Sequence, residues 1–222
     1  MIMIDVVFRN ATIDDVPFLA KTIIEAEKSG SDKLTYSTVL GLTEVQAQKY
    51  IAEMLLEEVD GCELSISSYL VAEKDGRPVA TVSGWIEGIT GVSSSILKAN
   101  LLQYILPESC LLNLREINSV IRELHIEYIP DTIQFGAGFV DSEYRGHRLS
   151  ARIIDELCDR LGRSNPDVKE AYIQIFSCNI PSLRSSVNQG FKTVLEKESL
   201  NPEILKYLPS NKKFLVKRDL CY

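Results

Sequence analysis

Apolar and polar positions follow two different periods along this chain, and the periods separate candidate helices from candidate strands. Apolar residues recur at helical spacing after capping signals at Thr12 and Thr43, and again after Ser150 up to about Leu161. A short fourth helix is predicted to open at Asn179 and to end at a glycine, Gly190. β-rich runs predict strands over residues 7–9, 69–74, 77–86, 132–140, 171–176, 191–195 and 213–216.

The helical spacing also predicts which side chains are buried. The first helix should bury Val16, Leu19, Ala20 and Ile23, and the second, which runs to about Glu58, should bury Val45, Ile51, Met54 and Leu55. Two strand-like runs flank Asp75-Gly76, which is the strongest short-range signal for a β-hairpin.

The middle of the chain has a less regular pattern. Residues 96–105 predict a helix that ends at Pro107, and residues 111–124 predict either another helix or a helix that leads into a strand. The run 125–129 favours a strand terminated by Pro130. The resulting order is mixed α/β with one hairpin early and one late, unlike the strict alternation of a doubly wound sheet.

Composition narrows the class of protein. The chain has 222 residues, of which 45% are apolar and 25% are charged, as expected for one large globular domain. No apolar run approaches the roughly 20 residues of a membrane span, and the N-terminus lacks a secretory pattern. Five scattered cysteines and two histidines argue against a metal site or a disulfide framework, so we expect a cytoplasmic protein. The net charge of −7 argues against a nucleic-acid partner.

The segment 139–150 carries the clearest chemical signal. An apolar strand passes through a turn that contains Arg145, Gly146 and Arg148, and then enters a helix. The first N–H groups of a helix have no internal partner and face partial positive charge, so this turn is a candidate site for a phosphate-bearing molecule.

Three segments, in the same order, resemble the GNAT superfamily of acetyl-CoA-dependent N-acetyltransferases. They are residues 8–19, residues 140–150, and the spacing of Asn179, Ser182, Gly190 and Phe191. The resemblance implies a mixed, mostly antiparallel sheet of about seven strands flanked by helices, in which the fourth and fifth strands splay apart. It implies one acetyltransferase domain over residues 1–222, with an atypical insert around 90–131.

The resemblance also implies acetyl-CoA as co-substrate, without a metal, and a set of cofactor-binding residues. Its pantetheine would lie between residues 137–140 and 175–179. Gly136 and Gly138 fit either a close approach by that ligand or a β-bulge. Arg148 fits either a phosphate contact or a solvated surface position. The implied cofactor-binding residues are Phe139, Val140, Arg145, Gly146, His147, Arg148, Leu149, Ser150, Asn179 and Ser182.

For catalysis, the resemblance places an oxyanion-binding N–H near Val140. The tyrosine that often protonates the leaving thiolate in this family is replaced by Ser186, so the thiolate leaves unprotonated, another group donates, or transfer is slow or absent. No acid lies within residues 132–140, which leaves Glu127, just upstream, as the candidate base or as a surface ion-pair partner. Cys178 fits a nucleophile or an apolar filler, and Tyr172 fits a proton donor or a core residue.

Two functions therefore stand as expectations. The first is an N-acetyltransferase that transfers acetyl to a primary amine of a small molecule or peptide by direct attack in a ternary complex. The alternative is a catalytically weak or inactive acyl-CoA-binding or regulatory module of the same fold. No nucleic-acid or membrane partner is expected, and self-association into a homodimer is a further expectation. Residues 29–42 and 88–131 should set the acceptor.

Overall fold

The computed structural model describes residues 4–221, which are organised around one seven-stranded sheet. The strand order is β1-β2-β3-β4-β5-β7-β6, and every neighbouring pair is antiparallel except the parallel β4–β5 pair. The strands are β1 (Val7–Asn10), β2 (Tyr69–Lys74), β3 (Arg77–Ile86), β4 (Ile133–Val140), β5 (Glu170–Phe176), β6 (Lys192–Glu198) and β7 (Lys212–Asp219). The predicted architecture is confirmed.

Helices flank this sheet and include all those that the apolar spacing predicted. The short helices α2 and α8 are additional, since neither has enough residues to show a helical period. The helices are α1 (Val16–Glu27), α2 (Thr35–Leu40), α3 (Glu44–Leu56), α4 (Ser94–Ile105), α5 (Glu108–Ile121), α6 (Leu149–Ser164), α7 (Ile180–Asn188) and α8 (Ile204–Tyr207).

The capping signals correspond to real caps. The Thr43 hydroxyl accepts from the Gln46 N–H at 3.2 Å, and the Gln46 side chain accepts from the Thr43 N–H at 2.9 Å, which starts α3. The prediction that Val45 is buried was wrong, because 78% of this residue is exposed. The buried face of α3 instead begins at Ala47, and two helical positions correspond to a rotation of about 200°.

The predicted strand over residues 125–129 is also wrong, since this segment is irregular. Side chains rather than a neighbouring strand satisfy its carbonyl groups. Gln174 Nε2 donates to the Ile126 carbonyl at 3.0 Å, and Lys197 donates to the carbonyl of His125. The apolar signal was nevertheless real, because Ile126 packs as a buried residue against Tyr172 and Leu215.

Two apolar layers cover the two faces of the sheet. Helix α6 packs on one face, where Ile153 and Leu157 contribute to the core. Helices α1, α2 and α3 contribute to the other layer, and the middle helices join them there through Leu101 and Cys110. The segment around 90–131 is therefore part of the main core. Within residues 4–221, no helix is both long and apolar enough to cross a membrane.

Candidate active site

The central feature of the site is the gap between strands β4 and β5. The two strands pair only where Ile133–Phe135 faces Ala171–Ile173, and β5 then continues beside β7 as far as Phe176. A cleft of about 770 Å³ lies at the gap, and its other wall is formed by the end of α1 and the loop that follows, residues 25–32. The predicted splay of the fourth and fifth strands is thus present.

Backbone groups of β4 point into this gap. The Asp141 N–H donates to the Val79 carbonyl at 2.9 Å, so the backbone of this residue faces β3. Residues of an antiparallel strand alternate between facing and not facing their neighbour, and the register from Gly138 to Val140 is regular. The N–H groups of Gly138 and Val140 therefore face away from β3 and toward the cleft, where they can bind a ligand.

The two glycines of β4 serve different purposes. At Gly136, a Cβ would lie 2.8 Å from Ser83 Oγ and 3.1 Å from both Glu63 Oε2 and Trp85 Cζ3, so crowding from neighbouring side chains requires glycine there. The β3–β4 register shifts at this point, which matches the expected bulge. At Gly138, a Cβ would meet Val82 only at 3.4 Å. Gly138 is exposed and lines the cleft, so a side chain here would occupy ligand space rather than clash with the fold.

The Arg-Gly turn closes one end of the cleft. Gly146 has φ +83° and open space around it, so its backbone is accessible. Arg148, at φ +58°, is a non-glycine residue in the left-handed region at the start of α6, and in the described part of the chain no side chain caps this helix. Arg145 Nε donates to the Val140 carbonyl at 3.2 Å. This bond connects the turn with the end of β4 and holds a guanidinium at the cleft.

The turn combines the properties of an anion site: an uncapped helix N-terminus, an accessible glycine and a positioned arginine. Of the predicted cofactor-binding residues, Leu149 is 1% exposed and can offer only its backbone, while Gly146 and Arg148 are exposed and His147 is half-buried. Those that line the cleft are Phe139, Val140, Arg145, Ser150, Asn179 and Ser182. These residues fit a diphosphate at the turn and an extended chain along β4.

Helix α7 forms a third wall of the cleft. Asn179 Oδ1 accepts from the Ser182 N–H at 3.2 Å and so caps the helix. Ser186 also lines the cleft, but the residue is 2% exposed and its hydroxyl donates to the Leu183 carbonyl at 2.9 Å. This proton is engaged within the helix, and a catalytic role for Ser186 stays a prediction.

A second cavity of about 680 Å³ lies next to the cleft, and we call it the polar chamber. Phe176 lines both cavities, so they meet at the end of β5. The charged inner wall of the polar chamber consists of Glu27 at the end of α1, Lys98 on α4 and Lys213 on β7. Apolar side chains from α2, α4 and α5 complete much of the wall, which makes the predicted insert a part of the site.

Burial and the mutual interactions of these three side chains shift their pKa values. Burial raises the pKa of Glu27, and the nearby Lys98 only partly offsets this. Burial lowers the pKa of Lys98, but its ion-pair partner Glu63, together with the nearby Tyr36 and Glu27, holds this pKa well above its ordinary value. Burial lowers the pKa of Lys213 to about 8. A carboxylate with a raised pKa is a stronger base than an ordinary carboxylate.

The raised pKa of Glu27 predicts a pH-dependent stability change. Because the folded chain holds this proton more tightly than the unfolded chain, stability falls as pH rises from the ordinary value through the raised one. Glu27→Gln removes this loss. Thermal melts should therefore give the variant a higher Tm than the parent at pH 8, by about 2–4 °C for each kcal/mol relieved, and the same Tm at pH 4. A variant that melts lower at pH 8 would contradict the assignment.

The other candidate catalytic residues, Glu127, Tyr172 and Cys178, do not belong to the charged inner wall. The Glu127 side chain is 82% exposed at the edge of the polar chamber, with its Oε1 3.2 Å from His125 Nε2. Tyr172 donates to Glu170 at 2.6 Å, and burial raises its pKa to about 12. Cys178 is half-buried, and burial raises its pKa, which disfavours a reactive thiolate.

Sequence reasoning missed the charged inner wall of the polar chamber, formed by Glu27, Lys98 and Lys213, and it missed Glu63, which pairs with Lys98. These residues are far apart in the chain, on α1, in the segment before β2, on α4 and on β7. No spacing rule connects them. The one available signal was Lys98, a charged residue within the run 96–105 that the apolar pattern assigns to a helix.

No sequence model of a protein family matches the chain, and no curated protein matches it. Solved structures do match. An N-acetyltransferase from Staphylococcus aureus Mu50 has a TM-score of 0.66 at 16% identity, over 96% of this chain and 100% of that chain. A polyamine N-acetyltransferase from Drosophila melanogaster, which forms N-acetylagmatine, has a TM-score of 0.58 at 16% identity, over 97% and 100%.

A PaiA N-acetyltransferase from Thermoplasma acidophilum, in complex with coenzyme A, has a TM-score of 0.53 at 13% identity, over 98% of this chain and 100% of that chain. An acetyltransferase of the GNAT family from Streptococcus pneumoniae matches with a TM-score of 0.52 at 11% identity, over 98% and 100%. Strand order, the single parallel pair and these likenesses agree. The chain has the fold of the GNAT acetyltransferases.

Proposed function

We propose that this protein is an acetyl-CoA-dependent N-acetyltransferase that acetylates a primary amine. The observation that carries the proposal is the cleft between β4 and β5, which has backbone N–H groups facing it from β4 and, at its end, a turn whose arginine and helix N-terminus suit an anion. A pantetheine chain needs backbone partners, and a diphosphate needs the turn. The neighbouring polar chamber supplies a separate place for the amine.

Each chain residue then has a defined task. Arg145 and the first N–H groups of α6 bind the phosphates of acetyl-CoA, which supplies an activated thioester when bound. The Val140 N–H donates to the thioester oxygen as negative charge develops there. Glu27 accepts a proton from the incoming ammonium, because an amine can attack only when it is neutral.

The alternative of a weak or inactive acyl-CoA-binding module is favoured by one observation. Ser186, at the position where the family often has tyrosine, donates its proton to Leu183 within α7. Loss of this donor is tolerable for acetyl transfer, since a thiol with a pKa of about 8.5 is a good leaving group. The alternative differs from the main proposal only in turnover.

A thiol-release assay with acetyl-CoA and a panel of primary amines separates the two proposals. The acetyltransferase proposal expects release that depends on amine and enzyme concentration and saturates with both substrates. Tight acetyl-CoA binding without release above background, for every amine, would favour the binding module. Release that is equal with and without amine would indicate thioester hydrolysis and would contradict both.

We expect Arg145→Ala to weaken acetyl-CoA binding about 10- to 100-fold, as the loss of charge-assisted hydrogen bonds does. Its side chain lies at the end of the cleft and is already oriented by the Val140 carbonyl. Isothermal titration measures the change. Arg163→Ala is the matched control, because Arg163 is an 80%-exposed arginine near the opposite end of α6. Equal affinities in both variants would remove the turn from the site.

Two substitutions at Arg148 distinguish the effect of its backbone strain on stability from the effect of its charge on acetyl-CoA binding. Its φ of +58° strains a side-chain-bearing residue, so Arg148→Gly should raise the free energy of unfolding by about 1 kcal/mol. If its charge also binds phosphate, Arg148→Gly and Arg148→Ala should weaken acetyl-CoA binding to the same extent. Denaturant melts and titration of both variants measure the two effects. Unchanged affinity in both would leave Arg148 as a surface residue.

A further inference from the structure

The inner wall of the polar chamber holds two charged groups of opposite sign that have no ion-pair partner among the described residues, whereas Arg122 and Glu127, which also line the chamber, are exposed to solvent. The two unpaired groups are the Glu27 carboxylate and the Lys213 ammonium. Lys213 Nζ donates to Gln174 Oε1 at 3.0 Å and lies 5.0 Å from the Phe176 ring centroid, and neither neighbour carries a charge. Burial shifts the pKa of each group toward its neutral form, up for Glu27 and down for Lys213. Unpaired buried charges reduce the stability of the fold, and a bound ligand that pairs with them would offset this cost.

The third charge of the inner wall, on Lys98, is already neutralised by an ion pair. Lys98 pairs with Glu63, whose side chain is 16% exposed. A ligand that reaches the inner wall therefore meets one unmatched negative group and one unmatched positive group. This arrangement differs from an acidic pocket, which would suit a polycation.

A buried phenol adds a hydrogen-bond donor. Tyr36 is 5% exposed and lines the chamber, and its hydroxyl has no hydrogen-bond partner within residues 4–221. Burial raises the pKa of this phenol, so it stays protonated and can only donate to an anion at neutral pH. An unsatisfied buried hydroxyl costs free energy, which a bound carboxylate oxygen would recover.

We propose that the acceptor is a small zwitterionic amine, an aminocarboxylate such as an amino acid, with its ammonium at Glu27 and its carboxylate at Lys213 and Tyr36. The inference rests on the proposed acetyl transfer. A polyamine would instead place a second cation beside Lys213, so the chamber discriminates against it. The apolar lining, which includes Val39, Leu40, Leu102, Leu114 and Leu208, suits an amino acid with an apolar side chain.

Matched pairs of amines provide the experiment. L-phenylalanine with phenethylamine, and L-leucine with isoamylamine, differ only by the carboxylate, and putrescine represents the polyamines. Thiol release gives kcat/KM for each amine, and isothermal titration in the presence of coenzyme A gives Kd. We expect each amino acid to exceed its decarboxylated partner about 10- to 100-fold in kcat/KM and in affinity, as a charge-assisted contact does.

The variant Lys213→Met should abolish this preference, because it should lower kcat/KM and affinity for L-phenylalanine about 10- to 100-fold more than for phenethylamine. Lys212→Met is the matched control, since Lys212 is its strand neighbour, pairs with Glu196 at 2.6 Å and does not line the chamber. Equal or better performance of phenethylamine or putrescine in the parent protein would overturn the inference while leaving acetyl transfer intact. An equal loss for both members of a pair in Lys213→Met would overturn it too.

The same measurements distinguish a failure of the proposed acetyl transfer from a failure of the inferred acceptor class. If no amine releases thiol but L-phenylalanine binds more tightly than phenethylamine, the acceptor class stands and the proposed reaction does not. If no probe binds at about 10 mM, a concentration that detects even weak ligands, the inference is overturned whatever the activity.

Discussion

Glu27→Gln is expected to lower kcat/KM for acetyl transfer by about 10²- to 10⁴-fold, the usual contribution of a general base. The glutamine keeps the size of the side chain but cannot accept a proton from the ammonium. Its effect on acetyl-CoA affinity should be small, because Glu27 lines the polar chamber rather than the β4–β5 cleft. Initial rates over pH, together with isothermal titration of acetyl-CoA, separate the two effects.

Glu127→Gln is the informative comparison, since Glu127 lies at the edge of the same chamber but has an 82%-exposed side chain. We expect it to change kcat/KM less than threefold, because a solvated carboxylate contributes little to catalysis at a buried site. The opposite pattern, with loss in Glu127→Gln and near-normal rates in Glu27→Gln, would restore the candidate base that the sequence favours.

Val140→Pro is expected to lower kcat about 10²- to 10³-fold, as the removal of one oxyanion donor does. Proline removes the Val140 N–H, which faces the gap and makes no ladder bond to β3. On its open side β4 resembles an edge strand, and proline is tolerated where the N–H faces outward. Single-turnover rates at saturating acetyl-CoA measure the chemical step.

Folding of this variant must be checked by its melting temperature and by acetyl-CoA affinity. A matched substitution, Phe139→Pro, should be far more harmful to stability, because alternation along β4 directs its N–H toward β3. A folded Val140→Pro variant with normal kcat would show that this N–H is not the oxyanion donor.

The fold was largely readable from local signals. Seven strands, the Thr43 cap and the hairpin at Asp75-Gly76 each depend on residues close in sequence. The wrong strand prediction occurred where long-range contacts determine the local structure. Residues 125–129 have strand-like composition, but their carbonyls are satisfied by Gln174 and Lys197, which no local pattern reveals.

The candidate site also has one part that local sequence predicts and another part that depends on long-range contacts. The Arg-Gly turn is one continuous segment, so its residue types and order predict a phosphate site, and the structure places Arg145 at the cleft and leaves the backbone of Gly146 accessible. The polar chamber is built from side chains on α1, α2, α4 and β7. Glu27 and Lys213 are separated by most of the chain, and only the sheet order and the packing of the middle helices bring them to one cavity.

Isothermal titration of acetyl-CoA into the purified protein tests the central claim most directly. The cleft between β4 and β5 with its Arg-Gly turn predicts one binding site per chain, with a Kd in the micromolar range (roughly −8 kcal/mol), and weaker binding in Arg145→Ala but not in Arg163→Ala. An absence of binding heat up to about 1 mM acetyl-CoA, where Kd corresponds to roughly −4 kcal/mol, would contradict it.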